Sequence, residues 1–310
     1  MKGKSQMAEA KKTAKSAERE RASAIAEGNW VPTPESKSKA IWFRVAAIVL
    51  WVAAIGIELW VIFKILRPSE PVNTWWLIGF LVAMAVLAIG GNLLWKKANR
   101  LDPASEKNKF RFFVQNQLGA IITVIAFLPL IILIFLDKDM DGKQKGIIGG
   151  IAIVLAGIVF ATGVETDPVS SEQISRETNV VQNLTGKDEV WYSKKGSTFH
   201  VCEKAALITG RIKPENLTHG TVAEAHAAGV PRLTKLWTSE ARNHCGVPED
   251  RIQSVLSGAT GLSADDLKDT LDPKDQGQIK APASGVPTPN NVTPLPSTPA
   301  PAPNTQRPAA

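Results

Sequence analysis

The sequence predicts an α-helical membrane protein: a four-helix transmembrane bundle with a small α+β cytoplasmic module and disordered termini. Four apolar segments follow one another between Ala40 and Gly163 with only short polar loops between them, and each is long enough to cross a bilayer. Composition is segregated along the chain, so the mean hydropathy of −0.02 averages unlike regions. Residues 187–272 carry short strand and helix signals between turn residues, the pattern of a small mixed domain.

The chain of 310 residues has net charge +7 and a sequence pI of about 9.4. Positive charge gathers in residues 1–39 and in the loop after the second span, which reports membrane topology rather than nucleic-acid binding. Residues 1–39 hold nine Lys/Arg against five Glu, and their apolar residues are mostly Ala, which bury little. This arm is therefore expected to be mostly disordered. Its start lies too far from the first apolar run for a secretory signal, so no cleavage is expected. Its basic side chains suit anionic lipid headgroups, each contributing on the order of 1 kcal/mol near such a surface. Trp30, Val31, Pro32, Thr33 and Pro34 are the candidate partner-binding stretch, because two prolines stiffen the backbone beside an aromatic anchor. A Trp seated at the membrane interface is the competing reading.

Span one is expected at Ala40–Leu66, roughly 40 Å as a helix and so able to cross a ~30 Å hydrocarbon layer with a tilt. Glu58 lies inside it, about two turns from the end. Such a group is either interfacial or part of a proton or ion path. Spans two, three and four are expected at Trp75–Trp95, Gln117–Leu136 and Gly146–Gly163. Pro129 should kink span three. In span four Gly146 and Gly150 have G-x-x-x-G spacing, with Gly157 further on and Gly149, Ala152 and Ala156 on an adjacent strip. Small residues of this kind serve packing inside the bundle or a homo-oligomer contact.

Loop charges set the orientation. The N-terminal arm and the second loop, with Lys96, Lys97, Arg100, Lys107, Lys109 and Arg111, are basic. The first loop has only Arg67, and in the third Lys138, Lys143 and Lys145 are offset by Asp137, Asp139 and Asp141. The chain is thus expected to be a multi-pass plasma-membrane protein with cytoplasmic N- and C-termini. The third loop opens like a calcium loop, making Asp137, Asp139 and Asp141 weak metal candidates, but Ile148 stands where a bidentate Glu is needed.

Residues 164–186 are polar without clear periodicity and are expected to be a linker. In the module, Glu189–Ser193 and Thr198–Cys202 form a hairpin pattern across a Lys194–Ser197 turn. Thr221 and Glu224 make a capping box that opens a helix stopped at Gly229, and further short helices are expected at Pro248–Leu256 and from Ser263 to Leu267. Cys202 and Cys245 are too few for a disulfide scaffold, and one bridge between them requires an oxidising space, so a cytoplasmic module predicts two thiols. His200, Cys202, His244 and Cys245 are further weak metal candidates that lack a chelating loop. No catalytic motif is present, so neither an enzymatic activity nor a cofactor is expected. Residues 273–310 hold ten Pro and no aromatic residue, which predicts a disordered tail, and Val286–Pro289 repeats Val31–Pro34.

Val190-Trp191-Tyr192-Ser193, Gly196, Phe199 and His200, with Thr221 to Pro231, resemble a small bacterial domain whose hairpin and helix carry a His and a terminal Cys pair. Arg232 and Lys235 occupy the approximate places of that pair, so the resemblance implies the fold but not the metal site. The overall plan, a basic arm with Trp30–Pro34, four spans and a Pro-rich end, resembles the actinobacterial membrane receptors that tether a gephyrin-like protein at the division site. That resemblance implies a membrane adaptor for a cytosolic, gephyrin-like partner and a role in cell division or polar growth. A small transporter or ion-responsive membrane protein is the alternative, with Glu58 and the third loop as its polar elements.

Overall fold

A computed structural model describes residues 30–66, 73–208, 212–257 and 264–279. The basic arm before Trp30, and the Pro-rich tail after Ile279 with its Val286–Pro289 repeat, lie outside the described residues. Four helices long and apolar enough to cross a membrane are present: α1 (Pro34–Val61, ending in a π-helical turn, Ile62–Leu66), α2 (Thr74–Leu101), α3 (Lys109–Leu136) and α4 (Gly142–Gly163). They start earlier than the apolar runs because capping residues sit in the polar flanks. Thr33 accepts from the N–H of Ser36 with Pro34 at the first helical position, Asn73 from Trp75 and Trp76, Asn108 from Arg111, and Asp141 from Gln144.

The outward faces of these helices are apolar, with Val49, Val52, Val86, Val124, Ile132 and Val154 exposed. That surface suits lipid rather than water. Trp42 and Trp60 on α1, and Trp76 and Trp95 on α2, lie about 27–29 Å apart along their axes, the spacing of two interfaces. These features are those of a multi-pass membrane protein.

Inside the bundle, Leu77, Leu81 and Met84 of α2 meet Phe127, Leu130 and Ile134 of α3 and Ile148 and Ala152 of α4. Asn92 is its polar knot. The Trp51 indole N–H donates to its Oδ1 (3.1 Å), and its Nδ2 donates to the Val159 carbonyl (3.0 Å) and to Thr162 (3.2 Å). Gly163 permits the close crossing of α3 and α4, since a Cβ there would stand 2.6 Å from the Ala120 nitrogen. The small residues of α4 divide into two sets. Gly149 and Ala152 are buried, Gly149 against Phe135, whereas Gly146, Gly150 and Gly157 meet nothing within 4 Å and lie on the outer face.

The stretch expected to be a linker is largely a helix, α5 (Ser171–Thr185), capped by Ser170 and ended by Gly186 in the left-handed region (φ +83°). Ile174, Val180, Val181 and Leu184 are buried in the module's core, so the module begins here rather than at residue 187. The sequence hid α5 because the position that completes its buried face is Glu177, a charged residue. The expected hairpin is β1 (Val190–Tyr192) and β2 (Phe199–His200), antiparallel with Trp191 opposite His200. A third strand, β3 (Thr218–Gly220), pairs with the other edge of β1, giving the order β2-β1-β3.

Around the sheet lie α6 (Glu203–Ile208), α7 (Val222–Ala228), α8 (Trp237–Asn243), α9 (Glu249–Leu256) and α10 (Ala264–Thr270). Both halves of the predicted capping box at Thr221 and Glu224 form, and Gly229 ends α7 with φ +97°. Phe199, Trp237, Ile252 and Leu256 are fully buried in this core.

Candidate functional site at the seam between bundle and module

Polar contacts that the sequence scatters widely tie the helix ends together at one end of the bundle and join that end to the module. Arg44 of α1 holds Asp102 after α2 (2.6 Å to Oδ2, 2.8 Å to the carbonyl), and Gln117 of α3 donates to the Glu165 carbonyl (2.7 Å). Lys96 donates to the Val164 carbonyl (2.6 Å) and faces Glu165 at 3.8 Å. In the loop between α2 and α3, the Ser105 hydroxyl and the Glu106 N–H donate to the Glu172 carboxylate at the start of α5, and Glu106 pairs with Arg176 (2.8 Å). Burial alone would raise the Glu172 carboxyl. The hydrogen bonds from Ser105, Glu106 and Ser171 outweigh it and hold the group below the usual carboxylate range.

Of the predicted partner-binding stretch, Trp30 packs against the module's core and its N–H donates to Ser175 Oγ (2.5 Å). Thr33 is the N-cap of α1 and Pro34 its first residue, while Val31 and Pro32 are half-buried between them. The five residues thus join α1 to the module. Ile279 packs against the same core, so the arm before residue 30 and the tail after residue 279 leave from one platform.

The weak metal candidates separate. Asp137 Oδ1 accepts from the N–H groups of Asp139 and Met140, and Asp141 caps α4, so two of the three carboxylates serve the turn. Cys202 and Cys245 form a disulfide with Cα atoms 5.7 Å apart, where the cytoplasmic placement predicts thiols. His200 Nδ1 lies 2.7 Å from Glu240 Oε1, while His244 is half-buried just before Cys245. Among the described residues no three His, Cys, Asp or Glu side chains gather into a metal-holding group.

Two cavities lie along the seam. The larger, about 580 Å³, runs between Trp30, Lys39, Arg100, Asp188 and Glu224. Burial pushes the Asp188 carboxyl above its ordinary range, opposed by the Val222 N–H that donates to it (3.0 Å). The smaller, about 150 Å³, is bordered by Lys96, Asn99, Arg100, Asn116 and His226. His226 is 1 % exposed, with Nε2 2.6 Å from Glu177 Oε2 and its ring edge-on to Phe199. Glu177 also accepts from the Leu233 N–H (3.2 Å) and from Gln173 (3.1 Å).

Sequence reasoning read Arg100 only as a topology charge, named no role for His226, and left Glu177 in a linker. The available signal was Glu177 on the apolar face of an otherwise amphipathic segment. Comparison with protein-family models, with curated proteins and with solved structures finds no match for this chain.

Proposed function

We propose that this protein is an integral membrane adaptor that recruits a cytosolic protein, of the gephyrin-like class named above, through the arm and tail that leave its module. The observation that carries this reading is the packing of Trp30 and Ile279, the first and last described residues, on one core in the module. Linked weak sites at one place gain effective concentration. Co-purification from membrane extracts tests it. The full chain retains the gephyrin-like partner, and removal of residues 1–29 together with 280–310 abolishes retention; a full chain that holds no such partner ends the proposal.

The basic arm and second loop support a cytoplasmic module. The Cys202–Cys245 disulfide supports the opposite face, since such bonds persist in oxidising spaces and are transient or redox-sensing in the cytosol. We retain the cytoplasmic orientation. An impermeant thiol reagent, applied to intact cells after mild reduction by an impermeant reductant, then leaves both cysteines unlabelled. Labelling reverses the orientation and removes the cytosolic-adaptor reading with it.

A second reading, a small transporter, draws on Glu58, which is 3 % exposed with Oε1 unpartnered among the described residues. The π-helical turn of α1 follows it. Unchanged solute or proton flux in Glu58→Gln discards this reading.

A further inference from the structure

We propose that the groove between the start of α1, the end of α2 and the start of α3 binds an anionic phospholipid of the surrounding bilayer, with its phosphate on Arg111. The groove is open, holds about 420 Å³, and is lined by Arg44, Trp95, Phe110, Arg111, Val114 and Gln115. That volume falls within the range of ligand clefts. The inference rests on the bundle alone and stands apart from the adaptor reading.

The depth of the groove follows from two hydrogen bonds. The Trp95 indole N–H (2.8 Å) and the Asn99 side chain (3.0 Å) both donate to the Gln115 carbonyl, so Gln115 of α3 sits between the level of the interfacial tryptophan of α2 and one turn outside it. Arg111 lies four residues earlier on α3, about 6 Å further from the hydrocarbon and so at headgroup depth. The 28 residues of α3 agree, since a helix of roughly 42 Å reaches beyond a ~30 Å hydrocarbon layer.

The walls are apolar and the rim is cationic. Trp95 has spent its N–H on Gln115 and contributes ring surface, beside Val114 and Phe110. Phe110 is 79 % exposed next to Arg111, an arrangement that acyl carbons cover and water does not. Arg44 is matched by Asp102, whereas among the described residues the Arg111 guanidinium makes no hydrogen bond or ion pair and no acidic residue lines the groove. The first turn of α3 sharpens this imbalance: it carries Lys109 and Arg111 and no acid, at a terminus whose dipole is already positive. Arg44 gives two of its five N–H donors to Asp102, which leaves others for a second phosphate oxygen. A free anion would meet the charge without using the walls, and a zwitterionic lipid would bring its own cation to the rim. An anionic phospholipid satisfies both.

The test uses the full chain in detergent micelles, titrated with phosphatidylglycerol or with phosphatidylcholine of the same acyl chains and read by native mass spectrometry. Phosphatidylglycerol binds more tightly by about fivefold or more, the effect of one cation beside an anionic headgroup. Arg111→Gln removes that preference and leaves phosphatidylcholine binding unchanged, while Arg111→Lys keeps most of it. Val114→Trp, which fills the groove without altering charge, lowers affinity for both lipids. Lys143→Gln, an exposed cation at the opposite end of the bundle, changes neither. Circular dichroism reports folding of each variant, and the exposed Arg111 carries the test if Val114→Trp unfolds. Equal affinities for the two lipids, equal losses for Arg111→Gln and Lys143→Gln, or phosphatidylglycerol binding untouched by a folded Val114→Trp overturns the proposal.

Discussion

The bundle and the module solve the problem of buried polarity in opposite ways. The four long helices keep their interior nearly apolar: apart from Glu58, their buried polar side chains are neutral, centred on Asn92, which ties α1, α2 and α4, and on Asn99 and Asn116 near the module end. The module, smaller and richer in loops, pairs carboxylates with imidazoles in its interior instead: Glu177 with His226, and Glu240 with His200. It adds a disulfide that closes a sequence separation of 43 residues. A helix in lipid satisfies its own backbone and can do without such pairs, whereas a module of this size has a modest apolar core and needs staples. The two regions should therefore fail under different perturbations.

The largest expected separation comes from Glu177→Ala. It removes the acceptor of His226 and of the Leu233 N–H in one step, leaving both buried groups unmet. Breaking a buried pair from one side costs about 3–5 kcal/mol. The module's near-UV signal, to which the buried Trp237 contributes, should be lost at a lower temperature while the helical far-UV signal of the bundle persists. A single shared transition displaced as a whole would mean that bundle and module unfold together, and the contrast drawn here would fail.

A smaller effect should appear on the other side. Asn92→Ala removes the hydrogen bonds to Trp51, Val159 and Thr162, and interhelical bonds of this kind in membranes contribute about 0.6–2 kcal/mol each. Denaturant titration in detergent should show an earlier loss of helix packing, with the module's transition unmoved. Equal sensitivity of the module would place Asn92 in a chain-wide network rather than at a local knot.

These two variants also mark what the sequence could and could not reveal. The bundle was legible because a span is a compositional signal, carried by consecutive residues, and only its polar capped ends escaped notice. The hairpin and the capping box were legible for the same local reason, with partners three to ten residues apart. Glu177 and His226 are separated by 49 residues, and Cys202 and Cys245 by 43, so nothing local announces either pairing. Arg100 shows the limit most clearly. In the sequence it is one of six basic residues in a loop; only the fold shows that the module closes over it while its neighbour Lys96 finds Glu165.

The smallest expected effect lies at the module's surface and concerns acid. Arg242 donates to both oxygens of Glu249 (2.8 and 2.9 Å), bridging α8 and α9 just past Cys245. Those hydrogen bonds, with a further one from Gln253, hold the Glu249 carboxyl down at about 2 from its ordinary 4.5. A carboxylate lowered in the folded state stabilises it fully above the ordinary value and loses that contribution as pH falls toward the folded one. The pair is 39 % and 51 % exposed, so water and salt screen most of it. Wild type should therefore melt slightly above Glu249→Gln at pH 6, by a margin that shrinks through pH 4 and closes near pH 2. The module's transition should carry the whole difference, because the bundle has no part in the pair. A margin independent of pH would show that Glu249 acts through packing on α8 rather than through its charge.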